Sequence, residues 1–345
     1  MKKRSFLDRI FLYLNGLFAL LLLLSLLVPF LPGDWFPSLS VLSLLVPFLV
    51  IPNLIFALYW IFRRRKSVLV SAVPLLLWYV ILGPLYRIQD NRQPVGEGEN
   101  TFSIMSFNAR GFNEMGQLKV EGVDNLIYDF VARQDPDIVC FQESFYALKR
   151  NNALGQYPYK FVDFVYGKHS GKVIQSIYSK YPILKLDSIV FPKSANTAIF
   201  ADLLVEGDTI RVYNVHLQSF RIEPNLGTIK NVESSRLLAR SKTVIAKQSQ
   251  QAAMIRESMD ASPYKKVLVG DFNNTQYSRV YRIIKGDMKD SYREKGKGFG
   301  KTFDLMKFPI RIDYIMADPE FEVLEHHNFE VKLSDHFPIM ATIRR

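Results

Sequence analysis

The sequence predicts an α/β protein in which two mixed β-sheets are flanked by helices and are preceded by membrane-spanning helices. Three observations support this prediction. Strand-like runs alternate with helical ones through residues 101–345. Short polar clusters follow several of those runs, at the place where an open α/β sheet binds its ligands. Long uncharged apolar stretches occupy most of the first 86 of the 345 residues.

The N-terminal apolar stretches have the length of membrane helices. Ile10 to Phe30, Leu39 to Phe62 and Val68 to Tyr86 contain 21, 24 and 19 residues without a charge, and a crossing needs about 20. A cleaved signal peptide explains only the first stretch, which lacks the usual small-residue cleavage pattern. A buried helical core is the other alternative. We interpret residues 1–92 as a membrane anchor with three transmembrane helices.

The distribution of basic residues predicts the orientation of this anchor. The net charge of the chain is +11, and residues 1–92 contribute +7 of it, so the charge is poor evidence for nucleic-acid binding. Four basic residues precede the first stretch, Arg63 to Lys66 join the second to the third, and the loop between the first two has none. Basic loops stay in the cytoplasm. We therefore expect an integral membrane protein, with the N-terminus cytoplasmic and everything after Tyr86 extracytoplasmic.

A polar segment with Pro94, Gly96 and Gly98 predicts a linker at residues 93–100. The remaining residues, 101–345, are enough for one large globular domain. Cys140 is the single cysteine of the chain, so an internal disulfide is excluded. Its apolar surroundings indicate a small core residue.

Within this domain, local patterns predict the individual elements. Leu118 to Arg133 has the pattern of a helix, and apolar residues every three or four positions from Val232 to Met259 predict a long surface helix. Gly207-Asp208 is typical of a hairpin turn between two strands. The predicted strands are TFSIMSFN ending at Asn108, DIVCFQE ending at Glu143, Val173–Ser179, Thr197–Val205, Thr209–Leu217, Lys265–Val269, Ile312–Met316 and Phe337–Ile343.

The polar clusters carry the chemistry. Their members are Asn108, Glu143, His216, Asp271, Asn273, Asp313, Asp335 and His336. Taken alone, an acid such as Glu143 is more often a solvated strand end. Taken together, four carboxylates would converge, and two of them about 4 Å apart repel by roughly 4 kcal/mol at an effective dielectric near 20. Such a site requires a cation, and oxygen ligands without a thiolate pair favour Mg²⁺, or Mn²⁺, over structural zinc.

The order and spacing of SFNARGF, FQE, SIYSKYPI, NVHLQS, VLVGDFNN, RIDYIM and SDHFPI resemble the endonuclease/exonuclease/phosphatase superfamily. The resemblance covers nearly all of residues 101–345. It implies a DNase-I-like, four-layer sandwich of two β-sheets between helices, with the site at one end of the sheets. The chain is also similar to membrane-tethered bacterial members that have three N-terminal spans, which implies a location in a bacterial inner (cytoplasmic) membrane.

The resemblance also implies roles for individual residues. Asn108 and Glu143 would hold the metal with Asp335 nearby. Asp271 would activate or orient the attacking water, and Asn273 would position that water or the phosphate. His216 and His336 would donate to phosphate oxygens, and Asp313 would orient a histidine. We assign substrate contacts to Arg110, Asn196 and Asn273. Abasic-site nucleases carry an acidic residue where this chain has Arg110, so its metal ligands need not match theirs.

These observations predict a membrane-anchored, metal-dependent phosphoester hydrolase, either a phosphodiesterase or a phosphomonoesterase. The predicted partners are the bilayer and a phosphoester substrate, which is a lipid headgroup, a small phosphoester or a nucleic acid, and no obligate protein partner is expected. An endonuclease or exonuclease acting on DNA or RNA is the alternative within the enzyme class. A membrane module that keeps the fold for binding without catalysis is the alternative from another class.

Overall fold

The structure, a computed structural model, describes residues 5–32, 37–88, 100–149, 152–163, 173–220, 234–305 and 308–345. The chain divides into two compact units. An anchor unit contains Met1–Leu85, Val232–Ser249 and Asn274–Arg282. A sheet unit contains Tyr86–Asn231, Gln250–Asn273 and Ile283–Arg345. Most of the expected linker, residues 93–99, lies outside the described residues.

The α-helices are α1 Phe6–Ser25, α2 Pro37–Ser40, α3 Leu42–Phe62, α4 Leu69–Leu82, α5 Val123–Gln134, α6 Ser234–Asp260, α7 Arg279–Lys285 and α8 Ser291–Lys295. The strands are β1 Thr101–Asn108, β2 Ile138–Ser144, β3 Tyr159–Val162, β4 Ile174–Ser179, β5 Ile183–Val190, β6 Thr197–Val205, β7 Asp208–His216, β8 Lys265–Asp271, β9 Lys289–Asp290, β10 Phe303–Leu305, β11 Phe308–Ile310, β12 Asp313–Ala317, β13 Glu322–Asn328 and β14 Ile339–Arg344.

Two helices of the anchor unit are long and apolar enough to cross a membrane, Phe6–Phe30 and Leu42–Phe62. The third apolar helix, Lys66–Leu82, is shorter, so the structure supports two of the three expected spans. Its α-helical part has 14 residues and is about 21 Å long, against a hydrocarbon core of about 30 Å. Gly83 ends it with a φ of 85°, and Pro84 follows, which lacks the N–H that a further turn would need.

The anchor unit also includes a segment from the C-terminal part of the chain, Asn274–Arg282. The ring of Tyr277 is buried in an apolar cluster with Leu22, Val46 and Trp78. The Thr275 hydroxyl donates to the carbonyl oxygen of Ser43 at 2.8 Å. A division of the chain at residues 93–100 would have placed this segment with the sheets, whereas it packs among the apolar helices.

The sheet unit contains two six-stranded sheets, with strand orders β13-β14-β1-β2-β4-β3 and β5-β6-β7-β8-β12-β9. One pair in each sheet is parallel, β1 with β2 and β7 with β8, and the other pairs are antiparallel. The prediction of two mixed sheets flanked by helices is therefore confirmed. The predicted hairpin is also present, because Glu206 and Gly207 have φ of 48° and 95° between β6 and β7, as a tight primed turn requires.

The main core lies between the two sheets. Inward side chains of β1, β2 and β14 pack against those of β6, β7, β8 and β12 in one fully buried apolar cluster. Helix α5 covers the outer face of the first sheet through Ile127 and Val131. The end of α6 covers the second sheet, where Tyr213 donates its hydroxyl to the carbonyl oxygen of Ser258. The layers are thus helix, sheet, sheet and helix.

Candidate active site

The strand register brings three site residues of the second sheet into one row. His216 at the end of β7 pairs with Asp271 at the end of β8, and Asp271 pairs with Asp313 at the start of the antiparallel β12. Side chains alternate between the two faces of a strand. Asp271 therefore shares the inward face of Val267 and Val269, which are core residues. The site is the polar end of the same layer that forms the core.

The first sheet contributes Asn108 and Glu143. Asn108 follows Phe102 and Ile104 on the inward face of β1, and it pairs with Gln142 of β2. Glu143 would by alternation point outward. However, β2 has a bulge between Phe141 and Ser144, and Glu143 has a left-handed φ of 48°. A bulge redirects a side chain at a strand end, and here the Glu143 carboxylate reaches the Asn108 amide.

Gly270 allows β7 and β8 to approach each other just before Asp271. Its φ is 139°, and a Cβ atom there would collide with the carbonyl oxygen of Val215. The glycine in GDFN thus has a steric reason, because only glycine combines that backbone angle with so close a neighbouring strand.

Asp271 is the hub of the site and is fully buried. Its Oδ2 accepts from Asn108 Nδ2 at 3.0 Å and from Asn273 Nδ2 at 3.1 Å, and its Oδ1 accepts from the Asn273 backbone N–H at 2.7 Å. The same Asn108 Nδ2 donates to Glu143 Oε1 at 3.2 Å. One amide nitrogen thus holds together carboxylates that come from different sheets.

The two histidines differ in their surroundings. His336 Nδ1 lies 2.9 Å from Asp313 Oδ2, and its Nε2 lies 3.7 Å from Asp271 Oδ2. His216 is fully buried with Nε2 3.7 Å from Glu143 Oε1 and 3.6 Å from Asp271 Oδ2. Neither ring nitrogen of His216 has a hydrogen-bond partner within the described chain. A buried polar group without a partner is costly, so His216 is available for a ligand.

Burial and neighbouring charge set the protonation of these groups. Burial lowers the pKa of His216, against the pull of the Glu143 carboxylate, so its imidazole is neutral. Burial alone would also lower the pKa of His336, but the carboxylates of Asp313 and Asp271 outweigh it and raise that pKa to about 10. Burial raises the pKa of Asp271 to about 8, with Asp313 adding to the effect and His336 opposing it. The site therefore contains a carboxyl group with a pKa near neutral pH, Asp271, beside the protonated imidazole of His336.

Other predicted residues have partners already. The Asp335 carboxylate forms an ion pair with Arg110, with 2.8 Å between Oδ2 and the guanidinium. The Asn196 amide donates to the carbonyl oxygen of Leu217 at 3.0 Å, and Asn273 Nδ2 donates to the same oxygen at 3.1 Å. Asn196 thus braces the chain that follows His216, and its nitrogen is engaged there.

The donor set fits a divalent cation. Glu143 and Asp271 are both within hydrogen-bond distance of Asn108 Nδ2, and no Lys or Arg pairs with either of them among the described residues. Burial raises the pKa of Asp271, and a hard cation with oxygen ligands would stabilise its ionised form. Ligand atoms of Asp271, Asp313 and His336 also lie within 4.8 Å of one another. In that group, however, His336 Nδ1 already forms a hydrogen bond with Asp313 Oδ2.

Sequence reasoning missed a buried amide network between the sheets. Asn214 of β7 lies on the inward face, fully buried. Its Oδ1 accepts from Gln142 Nε2 at 2.7 Å, and its Nδ2 donates to the carbonyl oxygens of Phe141 and Ser176. The signal was present, since an asparagine interrupts the alternating apolar residues of IRVYNVH. The network fixes Gln142, the residue before Glu143.

We expect Asn214→Ala to lower the free energy of unfolding by about 3 kcal/mol, because three hydrogen bonds in the core are lost: the 2.7 Å bond from Gln142 Nε2 and the two that Asn214 Nδ2 donates to carbonyl oxygens. Thermal unfolding of the full-length protein in detergent measures the loss. Asn152→Ala, at an exposed position, is the matched control. A melting temperature equal to that of the control would show that the network does not stabilise the fold.

Comparison with known proteins adds family information to this geometry. The family model described as Endonuclease/Exonuclease/phosphatase family matches residues 105–336, and a domain of unknown function matches residues 8–85. No curated protein sequence matches the chain.

Several solved structures share the fold. TDP2 of D. rerio, solved in complex with a single-strand DNA product, is 17% identical with a TM-score of 0.55, over 71% of this chain and 99% of that one. An endonuclease/exonuclease/phosphatase from Bacteroides vulgatus is 19% identical with a TM-score of 0.54, over 71% and 98%. The mannosyl-6-phosphatase of Bacteroides thetaiotaomicron is 18% identical with a TM-score of 0.52, over 71% and 100%.

Proposed function

The chain belongs to the endonuclease/exonuclease/phosphatase family, and we propose that it is a membrane-anchored phosphoester hydrolase that uses Mg²⁺ or Mn²⁺ and an activated water. Membership in this family makes it a hydrolase of ester bonds. The observation that carries the mechanism is the set of contacts around Asp271, which joins Asn108, Asn273 and the two histidines at one buried point.

Each residue of the site has a chemical task in this proposal. Asp271, with its raised pKa, accepts the proton of the attacking water. Asn273 holds the Asp271 carboxylate by both of its oxygens. The neutral His216 and the protonated His336 donate N–H groups to phosphate oxygens, where negative charge develops. Asp313 fixes the orientation of His336 through the 2.9 Å contact.

Glu143, with Asn108 beside it, would hold the divalent ion. Its carboxylate is half-buried at the site and has the Asn108 amide as its hydrogen-bond partner. When bound, the ion supplies a Lewis acid for the phosphate. The double positive charge of such an ion would balance the negative charges of ionised Glu143 and Asp271.

The apolar helices support a membrane location and thereby a substrate at the bilayer, such as a lipid headgroup. A chain with only two crossings returns to the side of its N-terminus. An extracytoplasmic sheet unit therefore requires α4 to cross as well. Together with the turn before it, α4 forms the apolar helix Lys66–Leu82, whose length is at the lower limit of about 17 residues for a membrane crossing. Reporters fused to the C-terminus, one active only in the cytoplasm and one only outside, distinguish the two orientations.

A substrate panel tests the reaction class. We expect the full-length protein to hydrolyse a phosphomonoester, a phosphodiester or a phospholipid, to lose that activity in EDTA and to regain it with Mg²⁺ or Mn²⁺. Preference for DNA or RNA, with binding that falls steeply with salt, would instead identify a nuclease. TDP2 of D. rerio binds single-strand DNA, whereas the excess basic charge of this chain lies mostly in the anchor. Activity that is insensitive to EDTA would contradict the proposal.

A further inference from the structure

Arg110 and Asp335 form an ion pair at the edge of the candidate active site. The guanidinium lies 2.8 Å from Asp335 Oδ2, with 35% of the Arg110 side chain and 18% of the Asp335 side chain exposed. The other oxygen, Oδ1, accepts from the Ser334 hydroxyl at 3.2 Å. A guanidinium at this distance makes a charge-assisted hydrogen bond, which is among the strong ones in proteins. The Asp335 carboxylate therefore already has a cation.

The backbone around Arg110 is shaped to hold it there. Four consecutive residues, Arg110 to Asn113, have left-handed φ of 44°, 65°, 56° and 62°. Each non-glycine residue in that region costs roughly 1–2 kcal/mol, so the turn persists only because its surroundings fix it.

Three contacts fix this turn. The Phe112 ring is buried, with its centroid 5.2 Å from that of Phe141. The Asn113 side chain accepts from Leu118 N and donates to Leu118 O. The Arg110 N–H donates to Asn108 Oδ1 at 3.1 Å. Arg110 is thus tied to the residue that touches both Glu143 and Asp271.

The carboxylates of the site separate into two pairs by their partners. Asp335 is engaged by Arg110, and Asp313 is engaged by His336. Glu143 and Asp271 share one amide nitrogen of Asn108 instead. Their basic neighbours are the two histidines, at 3.6–3.7 Å, and neither carboxylate pairs with a Lys or Arg among the described residues. These two carboxylates, unlike Asp335, are therefore open to a divalent ion. In the described part of the chain, Asp335 is also outside the group of acids and histidines whose ligand atoms lie within 4.8 Å of one another.

We propose that Arg110 fills the cation position at Asp335 and thereby limits the centre to a single divalent ion. The inference rests on the proposed function, since it concerns the ion of that site. Without the guanidinium, Asp335 would present an uncompensated carboxylate at the edge of the site, and a second hard cation would bind there. Arg110 is therefore a residue that determines the number of ions rather than one that holds the first ion.

Isothermal titration with Mn²⁺, on the full-length protein in detergent, tests this inference without any substrate. We expect one bound Mn²⁺ in the wild-type protein and two in Arg110→Gln. Arg110→Asn is a second variant, because asparagine tolerates left-handed backbone. In the double variant Arg110→Gln/Asp335→Asn the number should return to one. Arg133→Gln, at an exposed position of α5, is the matched control and should bind one ion.

Every outcome of the titration either supports or overturns the inference. Two ions in the wild-type protein, one ion in both Arg110 variants, or two ions in the double variant would overturn the inference and leave the proposed function intact. A wild-type protein that binds no Mn²⁺ would overturn the proposed function, and this inference with it. Electron paramagnetic resonance of bound Mn²⁺ checks the counts independently, since two neighbouring ions couple to each other and one does not.

Discussion

Asp271→Asn is expected to lower kcat by on the order of 10⁴-fold, the upper end of what a general base contributes. The amide keeps the shape of the carboxylate but cannot accept the proton of the attacking water. It also removes the negative charge that lies 3.7 Å from His336 Nε2 and 3.6 Å from His216 Nε2. Steady-state hydrolysis of the best substrate from the panel, at saturating Mg²⁺, measures the change.

The fold of this variant should remain intact. Asp271 is fully buried, and an ionised carboxylate in that position is unfavourable to the folded state, as its raised pKa indicates. A neutral amide of the same size removes that cost but loses one acceptor oxygen, which now accepts from Asn273 N or from the amides of Asn108 and Asn273. These two effects oppose each other, so the melting temperature should stay close to that of the wild-type protein. Lost activity then reflects chemistry rather than unfolding.

Asp187→Asn is the matched control for this experiment. Asp187 is exposed on β5, and its carboxylate accepts from its neighbour Ser188 N. The same isosteric change there should leave kcat within about twofold of the wild-type value, because the position is exposed and its one side-chain contact is with its own neighbour. If Asp271→Asn kept more than a tenth of the wild-type kcat, another group would have to be the base.

The positions of His216, Asp271 and Asp313 could be predicted from the sequence because of the two-residue period of strands. Each continues the inward face of a run of apolar residues, and the parallel pairing of β7 and β8 aligns their ends. Chain order and spacing then sufficed to name the clusters. Glu143 was also identified from its place at the end of a strand. Strand alternation alone would direct its side chain outward, and the bulge in β2 turns it inward.

Features that depend on tertiary partners could not be predicted. The ion pair between Arg110 and Asp335 joins residues 225 positions apart. It depends on a left-handed turn that suits Gly111 and Asn113 but not Arg110 and Phe112. Asn214 lies within a correctly predicted strand, but its partners Gln142 and Ser176 belong to the other sheet, which the strand pattern does not identify. For the third span, hydropathy counted residues up to Tyr86, whereas Gly83 and Pro84 end the helix at Leu82.

His336 and Asp313 are expected to act as one unit. Removing His336 as a donor, in His336→Asn, should lower kcat by about 10³-fold. Asp313→Asn should lower it by about 10²-fold, because the imidazole loses both its orientation and the carboxylate that keeps it protonated. The measurement is kcat for the two single variants and for the double variant, with each melting temperature recorded.

The double variant separates a coupled pair from two independent contributions. Independent effects multiply, which would give a loss of about 10⁵-fold, whereas residues that act as a unit are far from additive. If Asp313 acts only through His336, the double variant should be no slower than His336→Asn, a loss of about 10³-fold. The hundredfold difference between the two results exceeds the usual error of additivity at separate sites, about 0.5 kcal/mol or little more than twofold. A multiplicative loss would mean that Asp313 contacts the substrate or the ion itself, and the 2.9 Å contact with His336 would then not be its function.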